Sequence, residues 1–70
     1  MAKYSVHIWY AGNTWYASGV IEAKTYEEAW AKFAQLHGTI IEKVNPQIVW
    51  FNYQGNQGRV YRRKAKLTRL

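Results

Sequence analysis

The sequence predicts an α+β domain: a small antiparallel sheet of two hairpins with one helix packed across one face, in the order ββα(β)ββ. Three observations support this fold class. Alternating residues flank a Gly-Asn turn near the N-terminus, a capped helical segment follows it, and two extended segments flank a Gly- and Asn-rich stretch near the C-terminus. A chain of 70 residues has room for one domain, so residues 1–70 are expected to fold as a single unit.

Residues 3–10 and 14–23 are expected to form the first hairpin. Apolar residues alternate with others along 3–10, which is the period of a half-buried strand, and Gly12-Asn13 supplies a two-residue turn. If Ala11 opposes Thr14, the outward face pairs Trp9 with Tyr16. The same register predicts four core-facing pairs, Tyr10–Trp15, Ile8–Ala17, Val6–Gly19 and Tyr4–Ile21.

A helix is expected from the residue after Thr25 to about His37. Thr25 and Glu28 have the spacing of a capping box, in which the Thr hydroxyl accepts from the Glu amide. Gly38 suits the position after the helix. The apolar stripe expected to face the sheet consists of Tyr26, Ala29, Trp30, Phe33 and Leu36.

The C-terminal third is expected to supply a short strand and a second hairpin. Residues 40–44 are extended, Asn45-Pro46 ends them, and 48–53 and 59–66 are strands around a turn within 54–58. A turn at Gly55-Asn56 or at Asn56-Gln57 predicts the same faces. The core set is Val49, Phe51, Tyr53 and Val60, and the outward set is Ile48, Trp50, Asn52, Arg59, Tyr61 and Arg63.

The charge is concentrated at the C-terminal end. Residues 1–58 contain four lysines and four glutamates, whereas residues 59–70 contain six basic residues and no acidic one. The formal net charge of +6 therefore lies in the last twelve residues. Such asymmetry indicates a polyanionic partner or a solubilising segment, and two interpretations of residues 64–70 stay open: the end of a strand, or a flexible basic tail.

The sequence lacks the residues that several classes of function require. Without cysteine there is no disulfide or thiolate metal site, and two histidines are too few for an all-protein zinc site. No spacing of nucleophile, base and acid indicates catalysis, and no Gly-rich phosphate loop occurs, so a non-enzymatic protein without a cofactor is expected. The absence of a long apolar run and of a signal core predicts a cytoplasmic protein with no membrane partner.

The predicted binding residues combine aromatic rings with cations: Trp9, Tyr16, Trp50, Tyr61, Arg59, Arg62, Arg63 and Lys64. Trp, Tyr and Arg are enriched at the hot spots of protein interfaces, so the first hypothesis is a small protein that docks on a larger host protein or self-associates as a homo-oligomer. The alternative is a nucleic-acid-binding module, either single-strand or non-specific, that stacks bases on the rings. A third hypothesis is an oligomeric sponge for a small anionic nucleotide, since one copy has little room for a pocket of about 300 Å³.

One stretch resembles known small proteins. Val20-Ile21-Glu22-Ala23-Lys24-Thr25-Tyr26-Glu27-Glu28-Ala29, with the hairpin before it and a helix ending near Gly38-Thr39-Ile40-Ile41, is similar to proteins of the DpnD/PcfM kind and, more distantly, to antitoxins of the HicB kind. The likeness covers about residues 4–44, and the Pro-Gly-Cys stretch of HicB-type proteins is absent. The resemblance implies a phage or mobile-element origin, and it assigns no functional residue.

Overall fold

The computed structural model describes residues 1–54 and 58–70 and confirms the predicted α+β fold class. One helix lies against a five-stranded antiparallel sheet whose strand order is β2-β1-β5-β4-β3. The elements are β1 (Ala2–Ala11), β2 (Thr14–Ala23), α1 (Tyr26–His37), β3 (Ile40–Asn45), β4 (Ile48–Gln54) and β5 (Val60–Arg69). The turn predicted within residues 54–58 falls largely on residues 55–57, outside the described part of the chain.

The strand β5 is the centre of the sheet. It pairs with β1 on one side and with β4 on the other, so residues 64–69 lie within a strand. Ala65 and Leu67 on this strand are fully buried, because they point toward the helix. The backbone of Leu70 also donates a hydrogen bond of 2.8 Å to the carbonyl of Lys3, which ties the end of the chain to β1.

The helix begins at the predicted cap. The Thr25 hydroxyl accepts a hydrogen bond of 3.1 Å from the Glu28 amide, and two acidic residues in the first turn complement the helix dipole. Phe33 packs edge-on against Phe51 of β4, with ring centroids 4.9 Å apart. Leu36 departs from the predicted stripe: it is 70% exposed, whereas the next residue, His37, packs on the Phe33 ring. In the described part of the chain, this twelve-residue helix is neither long nor apolar enough to cross a membrane.

The helix ends against strand β4. The Gly38 amide donates to the Ala34 carbonyl at 3.1 Å, and Gly38 has a φ of 149°. A Cβ at this position would overlap the carbonyl oxygen of Asn52. Next to it, the His37 ring lies 4.6 Å from the Phe33 ring, and desolvation by burial lowers the pKa of His37 below its ordinary value.

The first hairpin has the predicted register at its two ends and a shifted one in its middle. Ala11–Thr14 and Tyr4–Ile21 pair as expected, but Trp9 opposes Trp15. One bulge leaves Tyr10 as the extra residue of β1, and a second sets Val6 against the Ser18–Gly19 segment of β2. The predicted pairs Tyr10–Trp15, Ile8–Ala17 and Trp9–Tyr16 are therefore wrong.

In the second hairpin, the side chains of β4 lie on the predicted faces of the sheet, whereas the side chains of β5 lie on the faces opposite to those predicted. Val49 and Phe51 are buried as predicted. Gln54 pairs with Val60, which places five residues between the paired positions, whereas the two predicted turns have two. This odd difference moves every side chain of β5 to the other face. The assignment of Val60 to the core and of Tyr61 and Arg63 to the outward face is therefore wrong.

Candidate functional site

The helix covers one face of the sheet, and in the described part of the chain no element covers the other, which we call the outward face. Alternation along each strand decides which residues lie there. On β5, Ala65 and Leu67 are buried under the helix, so Arg62, Lys64 and Lys66 lie on the outward face. The most basic strand of the chain thus presents three cations on one open surface.

Three tryptophans and a lysine form a row across the outward face, which we call the tryptophan row. Trp15 on β2 opposes Trp9 on β1, and Trp50 on β4 opposes Lys64 on β5. The β1–β5 register, which pairs Ile8 with Ala65, places Trp9 beside Lys64 when it is continued by one residue. The row therefore reads Trp15, Trp9, Lys64, Trp50 along four neighbouring strands.

Lys64 occupies the centre of the tryptophan row. Its Nζ lies 5.4 Å from the ring centroid of Trp9, 5.4 Å from that of Trp50 and 6.0 Å from that of Trp15. The rings of Trp9 and Trp50 meet edge to face, 6.3 Å apart. Cations at this distance are attracted by the electron-rich ring faces. The lysine is thereby held among the rings, and all four side chains are half-buried.

Two further cations flank the row. Lys66 Nζ lies 5.0 Å from the Trp15 ring, and the Arg62 guanidinium carbon lies 5.0 Å from the Trp50 ring. Arg62 also forms an ion pair of 3.4 Å with Glu42, which opposes Trp50 from β3. Because both partners of this pair are more than half exposed, it contributes little to stability.

The first hairpin also orients Trp9. The indole Nε1 of Trp9 donates a hydrogen bond of 2.6 Å to the carbonyl oxygen of Gly12 in the turn. This bond satisfies the polar edge of the indole within the hairpin. The ring is therefore held in place by its own turn as well as by Lys64.

The structure divides the predicted binding residues between the two faces. Four of them lie together on the outward face, namely Trp9, Trp50, Arg62 and Lys64. Three lie on the helix side: Tyr16 opposes Ile8, Tyr61 opposes Tyr53, and Arg63 opposes Phe51. Arg59 is exposed and precedes β5.

Two residues of the outward face were not predicted, Trp15 and Lys66. Trp15 was assigned to the core because a bulge at Tyr10 cannot be read from the alternation in β1. Lys66 could have been found, since apolar Ala65 and Leu67 alternate with Lys64 and Lys66 in the sequence. That alternation predicts the correct faces of β5 without any assumption about the turn.

Arg63 forms a separate group on the helix side, which we call the arginine–tyrosine cluster. Its guanidinium carbon lies 5.3 Å from the Tyr53 ring, 5.7 Å from Tyr10 and 5.9 Å from Tyr61. The Nε atom of Arg63 is buried and has no hydrogen-bond partner. This cluster shares no residue with the tryptophan row.

A cavity of about 300 Å³ lies between the helix and the β3–β4 turn, also on the helix side, so the expectation that one copy has little room for a pocket of this size is wrong. Trp30 is in its wall, and the Trp30 Nε1 donates to the Pro46 carbonyl at 2.9 Å. The other lining residues are Tyr26, Glu27, Lys43, Asn45 and Pro46. No group of three metal-ligating side chains comes together within residues 1–54 and 58–70.

Comparison of the chain with protein-family models, with curated proteins and with solved structures finds no match. The resemblance of residues 4–44 to small mobile-element proteins stays an expectation. The geometry of the outward face is then the observation from which a function can be inferred.

Proposed function

We propose that the protein binds single-stranded nucleic acid on its outward face, without enzymatic activity. The observation that supports this proposal is the tryptophan row, in which three ring systems and Lys64 alternate across the sheet. Bases of a single strand stack on aromatic side chains, and the neighbouring cations bind the phosphates between them.

The rings would supply affinity that depends little on base sequence. Every base has a flat face, and a stacked base contributes about 1–3 kcal/mol. Trp9, Trp15 and Trp50 are each half-buried, so each ring keeps part of its surface open to solvent. Sheet modules that read RNA stack two or three bases on such residues, and by analogy three rings suffice here.

The cations would supply the phosphate contacts. Arg62, Lys64 and Lys66 lie on the same strand and face, each within 5–6 Å of a tryptophan ring. A base that stacks on the row displaces Lys64 from the rings and leaves its ammonium group beside the backbone. Three such contacts predict a slope of about −2 for the logarithm of the binding constant against that of salt concentration.

Docking on a host protein or on a second copy is the competing proposal for the same face. Tryptophan and arginine suit such an interface, but lysine is depleted from interface cores. Here Lys64 is at the centre of the aromatic row and Lys66 is beside it. A protein partner would have to bury these ammonium groups, whereas a nucleic acid pairs each of them with a phosphate.

The test is fluorescence polarisation with labelled single-stranded oligonucleotides at several salt concentrations. Trp9→Ala is expected to weaken binding about 5- to 150-fold, as the loss of one stacked base requires, with little change in the salt slope. Lys64→Gln is expected to reduce the magnitude of the salt slope by about 0.7, the contribution of one phosphate.

Tyr16→Ala is the matched control. Tyr16 is an aromatic residue of the same hairpin, 41% exposed, but it lies on the helix side, so binding should be unchanged. Circular dichroism of each variant checks that the sheet is retained. Equal losses for Trp9→Ala and Tyr16→Ala, or no binding at low salt, would exclude the proposal. Concentration-dependent light scattering in that case would favour self-association.

A further inference from the structure

Arg63 has a chemical environment that its role in the sheet does not explain. It opposes buried Phe51 on the helix side and lies between exposed Tyr61 and buried Ala65 along the same face of β5. Within the described residues, the ion pairs are Lys32–Glu28 and Arg62–Glu42, and no carboxylate lies within ion-pair distance of Arg63. A half-buried guanidinium therefore has no acidic partner of its own.

The Nε atom adds a second observation. It is buried and makes no hydrogen bond, although buried N–H groups in folded proteins nearly always have a partner. Leaving such a donor unpaired is costly, and more so for a charged group. The position thus favours any ligand that can accept hydrogen bonds from the guanidinium.

The surrounding rings are open to solvent. Tyr10 is 62% exposed and Tyr61 is 43% exposed, so the cluster lies at the surface, and an outward movement of either ring would widen the access to Arg63. Tyr53 is half-buried and packs edge-on against Phe51, with ring centroids 6.5 Å apart. One wall of the cluster therefore packs against the core, and the other two border solvent.

We propose that the arginine–tyrosine cluster is a binding site for a phosphate group, distinct from the outward face. A guanidinium presents its N–H donors as a rigid fork that matches phosphate oxygens in pairs. The three tyrosines carry hydroxyl groups that can also donate hydrogen bonds. A phosphate group offers several acceptor oxygens and up to two negative charges, which suits a site that holds one uncompensated cation and several donors.

The site can be tested by nuclear magnetic resonance, because the Arg63 Nε–H group gives its own signal. Titration with inorganic phosphate is expected to shift this signal downfield along a saturable curve, while sodium chloride at the same ionic strength does not. The signal is assigned by its loss in Arg63→Lys. That variant keeps the charge but loses the fork, and its phosphate affinity, followed by backbone amide signals, should be at least about tenfold weaker.

Arg59→Gln is the matched control, since it removes a basic residue that is exposed and precedes β5. It should leave the titration unchanged. Nucleoside monophosphates and oligonucleotides with and without a 5′-phosphate then distinguish a free ligand from a strand end, and either result supports the site. Trp9→Ala separates this site from the proposed function, because it should weaken strand binding on the outward face about 5- to 150-fold and leave the phosphate titration intact. A shift that does not saturate, that chloride reproduces, or that Arg63→Lys retains in full would overturn the proposal.

Discussion

Replacing Gly38 by alanine should destabilise the protein strongly. Gly38 has a φ of 149°, where an L-residue is strained by about 1–3 kcal/mol. The new Cβ would also overlap the carbonyl oxygen of Asn52. The backbone of Asn52 is itself held in place, because its amide donates a hydrogen bond of 2.9 Å to the Thr39 carbonyl. Relieving that overlap means shifting packed backbone, at about 1–3 kcal/mol. The combined cost is about 2–6 kcal/mol.

That cost is large for a domain of this size, whose total stability is expected to be about 4–10 kcal/mol. Urea unfolding followed by circular dichroism measures it, with an unchanged dependence on urea as the check for two-state behaviour. Gly12→Ala is the control: Gly12 also has a positive φ, 55°, but a Cβ there would meet no atom within 4 Å. It should cost only about 1–2 kcal/mol. If Gly38→Ala cost no more than Gly12→Ala, the close approach of the two backbones would be refuted.

Three further substitutions test other features. Thr25→Ala removes the hydroxyl that accepts a hydrogen bond from the Glu28 amide. Urea unfolding should show a free energy of unfolding that is lower by about 1 kcal/mol, and an unchanged value would contradict the role of Thr25 as the helix cap. The lowered pKa of His37 means that the unfolded chain binds the extra proton more readily, so His37 stabilises the fold above about pH 6.5 and this contribution is lost as the pH falls. Unfolding at about pH 7.5 and 5.5 should show a smaller difference for His37→Gln than for the parent chain. Glu42→Gln removes the negative charge that pairs with Arg62 and should change the free energy of unfolding by less than about 0.5 kcal/mol, because the pair is exposed. The same change should tighten the binding of single-stranded oligonucleotides, since Arg62 is then free to contact a phosphate. Weaker binding would count against the outward face as the binding site.

Local signals predicted most of the elements of this fold. The capping box at Thr25, the Gly-Asn turn after Ala11 and the break at Pro46 each act within a few residues, so their positions can be read from the sequence. Bulges are different, because the extra residue at Tyr10 is accommodated by the twist of the paired strands. The alternation along β1 does not reveal the bulge. The sequence therefore predicts Trp15 on the core face and Tyr16 on the outward face, whereas the structure has the two reversed.

The predicted faces of β5 depended on the number of residues assumed for the turn before it. A two-residue turn was assumed, and the observed pairing of Gln54 with Val60 changes the parity of every position after it. The predicted binding residues include Trp9 and Trp50 because both lie on strands whose faces were predicted correctly. They include Lys64 because of its charge. The position of β5 between β1 and β4 could not be predicted, since strand order depends on contacts between segments far apart in the sequence.

The central place of β5 also has a consequence for the order in which the molecule is made. Four strands and the helix precede β5 in the chain, so a ribosome releases both outer strand pairs before the strand that joins them. Until β5 is inserted, β1 and β4 each have an unsatisfied edge, and Trp9 and Trp50 belong to separate pairs of strands. The same strand brings Arg62, Lys64 and Lys66. The outward face is therefore complete only when β5 has paired with both β1 and β4, and a nascent chain that still lacks β5 has tryptophans and acidic residues but no basic strand to complete the surface.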